Sequence, residues 1–179
     1  GYIFAIHIPI ALASLFAPLL GIAPADLLLL PLHVFLLELI IDPTCSIVLE
    51  RQPAEADLMM QPPRSSEEPL TRGVLSLGLL HGLTIFLASF GAYFYLLQTT
   101  GNAALARSMG LCILVFSNLL LVQSLSQNTP AFRYLPLLLR DKVMWVSLLA
   151  ILAGLALILY TPLCGVLGLA GLSAAQLLT

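Results

Sequence analysis

Five long apolar runs, separated by short polar breaks, set the plan of this chain. Residues 1–20, 27–49, 73–97, 103–126 and 143–160 are each apolar over about the 17–25 residues that a helix needs to cross a bilayer. Gly21-Ile22-Ala23-Pro24-Ala25-Asp26 reads as a tight turn that makes the first two runs a helical hairpin, and Gln98–Asn102 as a second short turn. Thr161–Gly171 reads as a short apolar turn region, and at Ser173–Thr179 a further span begins. The pattern predicts an all-α membrane protein, a helical bundle of about five transmembrane segments. Pro31 and Pro43 are expected to break the second run, and such breaks are tolerated where a polar cavity or a neighbour satisfies the freed backbone groups. Gly73, Gly78, Gly82 and Gly91 in the third run predict close helix approach, with His81 as a structural hydrogen bonder. The fourth run ends in Ser117, Asn118, Gln123, Ser124 and Ser126, read as hydrogen bonding between helices rather than as ligands. Trp145 and Tyr160 stand where interfacial anchors would, at the two ends of the fifth.

Composition agrees. Hydrophobic residues make up 60% of the 179 positions and charged ones only 9%, with a mean hydropathy of +1.04. Soluble domains average about a quarter charged residues, so the chain belongs in lipid. A net charge of −2 points to no nucleic-acid partner. Cys45, Cys112 and Cys164 lie too far apart to suggest a metal cluster or a disulfide framework. The chain opens on Gly1-Tyr2-Ile3 with no initiator Met and no basic leader, as expected of a piece of a longer protein. Six of the seven Lys and Arg fall in the loops at 50–72 and 127–142, with Arg107 on the other side. Positive-inside reasoning puts both loops in the cytoplasm.

Against this apolar background the acids of the second run stand out. Glu38 and Asp42 lie at membrane depth, where each carboxylate costs roughly 2.5–3.5 kcal/mol on insertion scales. Four residues apart, they share one helix face. Pro43 has no N–H to give the Leu39 carbonyl, which leaves that oxygen free between the two acids. Two carboxylates and a loose carbonyl form a hard-oxygen cluster suited to a divalent cation such as Ca²⁺ or Mn²⁺. The structural alternative is two acids protonated or paired with an Arg of a neighbouring helix, but no apolar run carries a basic residue near its middle. His33 is about 140° round the helix from Glu38, placed for a hydrogen bond near the outer interface rather than for ligation.

The loop at 50–72 is charged and rich in proline, which favours an extended docking surface. Its string Asp57-Leu58-Met59-Met60-Gln61-Pro62-Pro63-Arg64, followed by Glu68-Pro69-Leu70, resembles the loop between membrane helices six and seven of P-type cation-transporting ATPases. Glu38-Leu39-Ile40-Ile41-Asp42-Pro43 is similar to helix six of bacterial members related to the calcium and secretory-pathway calcium/manganese pumps. Ser124-Leu125-Ser126-Gln127-Asn128 resembles the end of helix eight, and Gly1-Tyr2-Ile3-Phe4 the upper part of helix five. Gln61 departs from the usual Arg of the loop motif.

The resemblance implies that residues 1–179 are a fragment of the C-terminal transmembrane domain, helices five to nine, in a multi-pass protein of the bacterial inner membrane. It puts Glu38 and Asp42 at ion-ligand positions and His7 where helix five of the calcium pumps supplies an amide ligand. Ile10 and Ser117 stand where such pumps can have further acids, which leaves one ion site. Implied partners are the cytoplasmic phosphorylation domain, reached through Asp57, Arg64, Glu67 and Glu68, and membrane helices one to four and ten of the same parent. The implied reaction is ATP hydrolysis through an aspartyl phosphate. Mg-ATP would bind only in cytoplasmic domains absent from this sequence, which has no Asp-Lys-Thr-Gly and no catalytic residue of its own. A secondary carrier or channel using the same carboxylates would call for an inverted repeat or a matching second broken helix, and neither is found.

Overall fold

A computed structural model describes residues 2–50, 72–125 and 142–173, and every regular element among them is helical. The long helices are α1 (Tyr2–Leu19), α2 (Pro31–Glu50), α3 (Arg72–Thr100), α4 (Ala103–Leu125) and α5 (Lys142–Tyr160), followed by the single turn α6 (Leu163–Val166). A 3₁₀ turn, Pro24–Asp26, lies between α1 and α2. Three segments are long and apolar enough to cross a membrane: Pro24–Ile41, Leu75–Thr100 and Ala103–Val122. Phe4–Leu19 and Trp145–Tyr160 are shorter apolar helices. The result is a helical membrane bundle.

The helices are held by small residues, because lipid supplies little hydrophobic drive between them. On α1, Ala5, Pro9, Ala13 and Ala17 recur every fourth position and are all buried. This stripe lets α1 lie close on α3, where a Cβ at Gly82 would stand 2.8 Å from the Ile8 Cβ and 3.1 Å from the Ala5 carbonyl oxygen. Gly110 does the same for α4 on α3: a Cβ there would overlap Leu28 and stand 3.2 Å from the Tyr93 Cβ. Gly73 and Gly91, expected to serve such contacts, meet nothing within 4 Å. An aromatic ladder on α3 backs the same seam, with Phe86 5.3 Å from Phe16 and 5.2 Å from Phe90, ring centre to ring centre.

Two expectations about the first half need correction. The first two segments are not a tightly packed hairpin. Instead α1 packs mainly on α3, and α2 on α4. Nor is α2 broken by its prolines. Pro31 opens the helix at its first position, where its missing N–H has no partner to lose, and the Leu30 carbonyl accepts the first helical bonds from His33 and Val34 at 2.8 and 3.2 Å. Pro43 sits inside a helix that runs on to Glu50, since one lost bond does not stop a helix braced by neighbours.

Residues between α1 and α2, and after α5, leave regular helix, so their buried carbonyls must find donors elsewhere. Arg107 supplies three. It is 4% exposed and donates from Nε to Leu27 at 2.8 Å, from Nη2 to Ala25 at 2.7 Å and from Nη1 to Gly168 at 2.5 Å. The Tyr93 hydroxyl donates to the Asp26 carbonyl, and that of Tyr160 to Leu172 at 2.6 Å. The Leu30 N–H donates to His33 Nδ1 at 3.2 Å, which puts the ring proton on Nε2, 2.7 Å from the Leu167 oxygen. Ser108 closes the set by accepting the Ala170 N–H at 2.8 Å. Gly168 has a φ of +62°, where a side chain would strain, and a Cβ there would stand 2.9 Å from Arg107 Nη1. The knot fixes the start of α2, and so the height of everything below it.

Candidate functional site

Glu38 lies two turns into α2, below the knot. The buried edge of α2 is formed by Leu37 and Ile41, while Phe35 and Leu39 are about two-thirds exposed on the other side. Glu38 falls between the two edges, on the side of α2 that reaches α1. There its Oε1 is 3.5 Å from Nε2 of His7 on α1, and the two side chains keep 32% and 50% of their surface exposed. An imidazole and a carboxylate at this distance can share a proton or hold a cation between them.

Of the residues singled out in the sequence, His7 and Glu38 are therefore brought together from different helices. Asp42 follows one turn after Glu38 on the same continuous helix; its side chain lies outside the described residues. Leu39 stands between them, its carbonyl without the helical N–H that Pro43 lacks. Ile10 is in the apolar core and Ser117 is half-buried. Asp57, Arg64, Glu67 and Glu68 lie outside the described residues. Among the described residues no three His, Cys, Asp or Glu side chains cluster as a metal cage. His33 makes the outer hydrogen bond expected of it. His81 departs from its expected role, with Nδ1 buried and without a partner among the described residues.

The sequence reading missed two residues. Arg107 was counted only as the one basic residue on the outer side. Its partners are backbone carbonyls, which no side-chain motif announces, and the available signal was a lone cation inside an apolar helix with glycine-rich sequence at 165–171. Asn118 was expected to hydrogen-bond between helices. It is 2% exposed at the seam of α2, α4 and α5, and neither Nδ2 nor Oδ1 has a partner among the described residues.

Residues 26–179 match the family described as Cation transporting ATPase, C-terminus. The chain matches no curated protein and no solved structure.

Proposed function

The chain belongs to the cation-transporting ATPase C-terminal family, and from that premise we propose that it forms the ion-binding and translocating membrane part of an ATP-driven pump. The cargo is a hard divalent cation, Ca²⁺ or Mn²⁺. One site is built on Glu38, Asp42 and the Leu39 carbonyl, with His7 completing it from α1. The observation that carries this reading is the approach of His7 Nε2 to Glu38 Oε1 at 3.5 Å. Two ligand-bearing helices converge there, beside the one helical carbonyl that Pro43 leaves free. Ca²⁺ takes oxygen ligands, whereas an imidazole nitrogen suits a transition-metal ion, so ligation by His7 favours Mn²⁺ of the two.

ATP chemistry belongs to other domains of the parent, a bacterial inner-membrane pump related to the calcium and secretory-pathway types. The loop carrying Asp57, Arg64, Glu67 and Glu68 is the contact to its phosphorylation domain. Arg64→Ala in the full-length parent is expected to slow turnover several-fold while leaving cation affinity nearly unchanged, because charge-assisted contacts of about 1.5–3 kcal/mol would be lost at the domain junction and not at the ion. Equal losses in both quantities would count against a coupling role. The site itself is tested by Asp42→Asn in the same parent. Cation-dependent phosphorylation by ATP should disappear, and phosphorylation by inorganic phosphate, which uses the cation-free state, should persist. A variant with wild-type cation dependence would remove Asp42 from the site.

A further inference from the structure

One side chain of the knot depends on carrying a single proton. His33 is fully buried. Its Nδ1 accepts the Leu30 N–H at 3.2 Å, and its Nε2 donates to the Leu167 carbonyl at 2.7 Å. Both partners are backbone groups with fixed roles, since an amide N–H only donates and a carbonyl only accepts. A hydroxyl could turn to suit a change in the ring, but these two cannot. The pair of bonds therefore fits a neutral imidazole with its proton on Nε2 and no other form of the ring.

An imidazolium carries a proton on each nitrogen. At His33 the second proton would set Nδ1–H against the Leu30 N–H, and a bond would become a meeting of two donors. The charges around the ring do not compensate. The one that acts on it is Arg107 of α4, whose Nη1 holds the Gly168 carbonyl, next along the chain from the carbonyl that His33 holds. The Asp26 carboxylate of the 3₁₀ turn acts on Arg107 and on Tyr93 of α3. Tyr160 of α5 is engaged with Leu172, and Cys164 of α6 is a free thiol. Among the described residues no carboxylate pairs with His33.

We propose that His33 is an acid-sensitive latch between the start of α2 and the turn at Leu167–Gly168: the neutral ring ties the two together, and a second proton on the ring lets the turn go. The open form, with His33 in water, takes up a proton for which the closed form has no place. Closure is therefore at full strength above about pH 6.5, the unperturbed value for histidine, and loses up to about tenfold for each pH unit below it. Release is local, because α1, α3 and α4 pack on one another without this turn. Positive-inside reasoning puts this end of the bundle away from the cytoplasm, so the acid it answers to is external. The latch does not depend on how the cation is bound.

The test is backbone hydrogen exchange over residues 163–172 of the full-length parent in detergent, at about pH 8 and about pH 5, for wild type and His33→Gln. The glutamine amide does not titrate, and comparing the two proteins at one pH cancels the intrinsic exchange rate. His7 and His81 are present in both, so their titration cancels as well. Between the two pH values, protection of this segment is expected to fall about tenfold in wild type, with a ceiling of about thirtyfold for one group, and less than about twofold in His33→Gln. Protection of α3 should be the same in both proteins at each pH. Should the glutamine variant fail to fold, His33→Asn takes its place, since an asparagine Oδ1 can accept the Leu30 N–H. Equal falls in wild type and variant overturn the latch. So does wild-type protection that, corrected for the intrinsic rate, stays within about twofold between the two pH values. A loss spread evenly over α1 to α5 in wild type would mean general acid unfolding, and overturns it too.

Discussion

The knot around Arg107 and the site at Glu38 pose the same problem, polar groups in an apolar bundle, and answer it in opposite ways. Around Arg107 three of the five guanidinium N–H groups reach carbonyls, and Tyr93, His33 and Tyr160 reach one each. At the acid site, Glu38 meets His7 at 3.5 Å with a third of its side chain open, and Asn118 meets no partner among the described residues. A well-satisfied polar network rigidifies. The knot therefore reads as the fixed end against which α2 is held. The polar groups at Glu38 are fewer and more open to the surface.

The widest separation between the two regions is expected from Arg107→Met. It keeps most of the side-chain volume but strands the carbonyls of Ala25, Leu27 and Gly168. Each buried carbonyl left unsatisfied costs about 1–3 kcal/mol, which thermal unfolding in detergent would register. Arg107→Lys is expected to recover part of it, because an ammonium has donors but not the planar fork. Equal stability in all three proteins would mean that the knot holds nothing.

Gly110→Val tests whether the knot and the acid site share one frame. The added side chain would push against Leu28 and against the Cβ of Tyr93, whose hydroxyl holds the Asp26 carbonyl. Overpacking of this kind costs about 1–3 kcal/mol. The same change at Gly91, which meets nothing within 4 Å, should be nearly silent in the same melting experiment.

Glu38→Gln should have the smallest effect on stability. An ion pair this exposed contributes at most about 1 kcal/mol, so melting should barely change while cation-dependent phosphorylation in the full-length parent falls away. A large loss of stability would place Glu38 with the knot, as a structural group, and would dissolve the contrast.

Much of this was legible in the sequence. Run lengths and composition determined a helical membrane bundle, because a chain with 9% charged residues and apolar stretches of this length has few other ways to satisfy its backbone. Glu38 and Asp42 stood out for the same reason, since an acid at membrane depth is expensive. His33 was readable from its angle on the helix alone. Proline was the weaker guide: Pro31 and Pro43 looked alike as breaks, yet one opens α2 and the other lies within it.

Partnership was decided only in three dimensions. A backbone carbonyl is the same chemical group at every position, so nothing in the sequence marked those of Ala25, Leu27 and Gly168 as the acceptors for Arg107. Among four glycines of α3, only contact with Ile8 and Ala5 distinguished Gly82. His7 and Glu38 are 31 positions apart, and the packing of α1 and α2 sets their distance. Asn118 resembled any other polar residue near a helix end until the fold buried it with no partner among the described residues. Residue type and spacing determine what a side chain could bind. Which group stands opposite it depends on how helices joined by loops come to pack, and that is a property of the whole bundle.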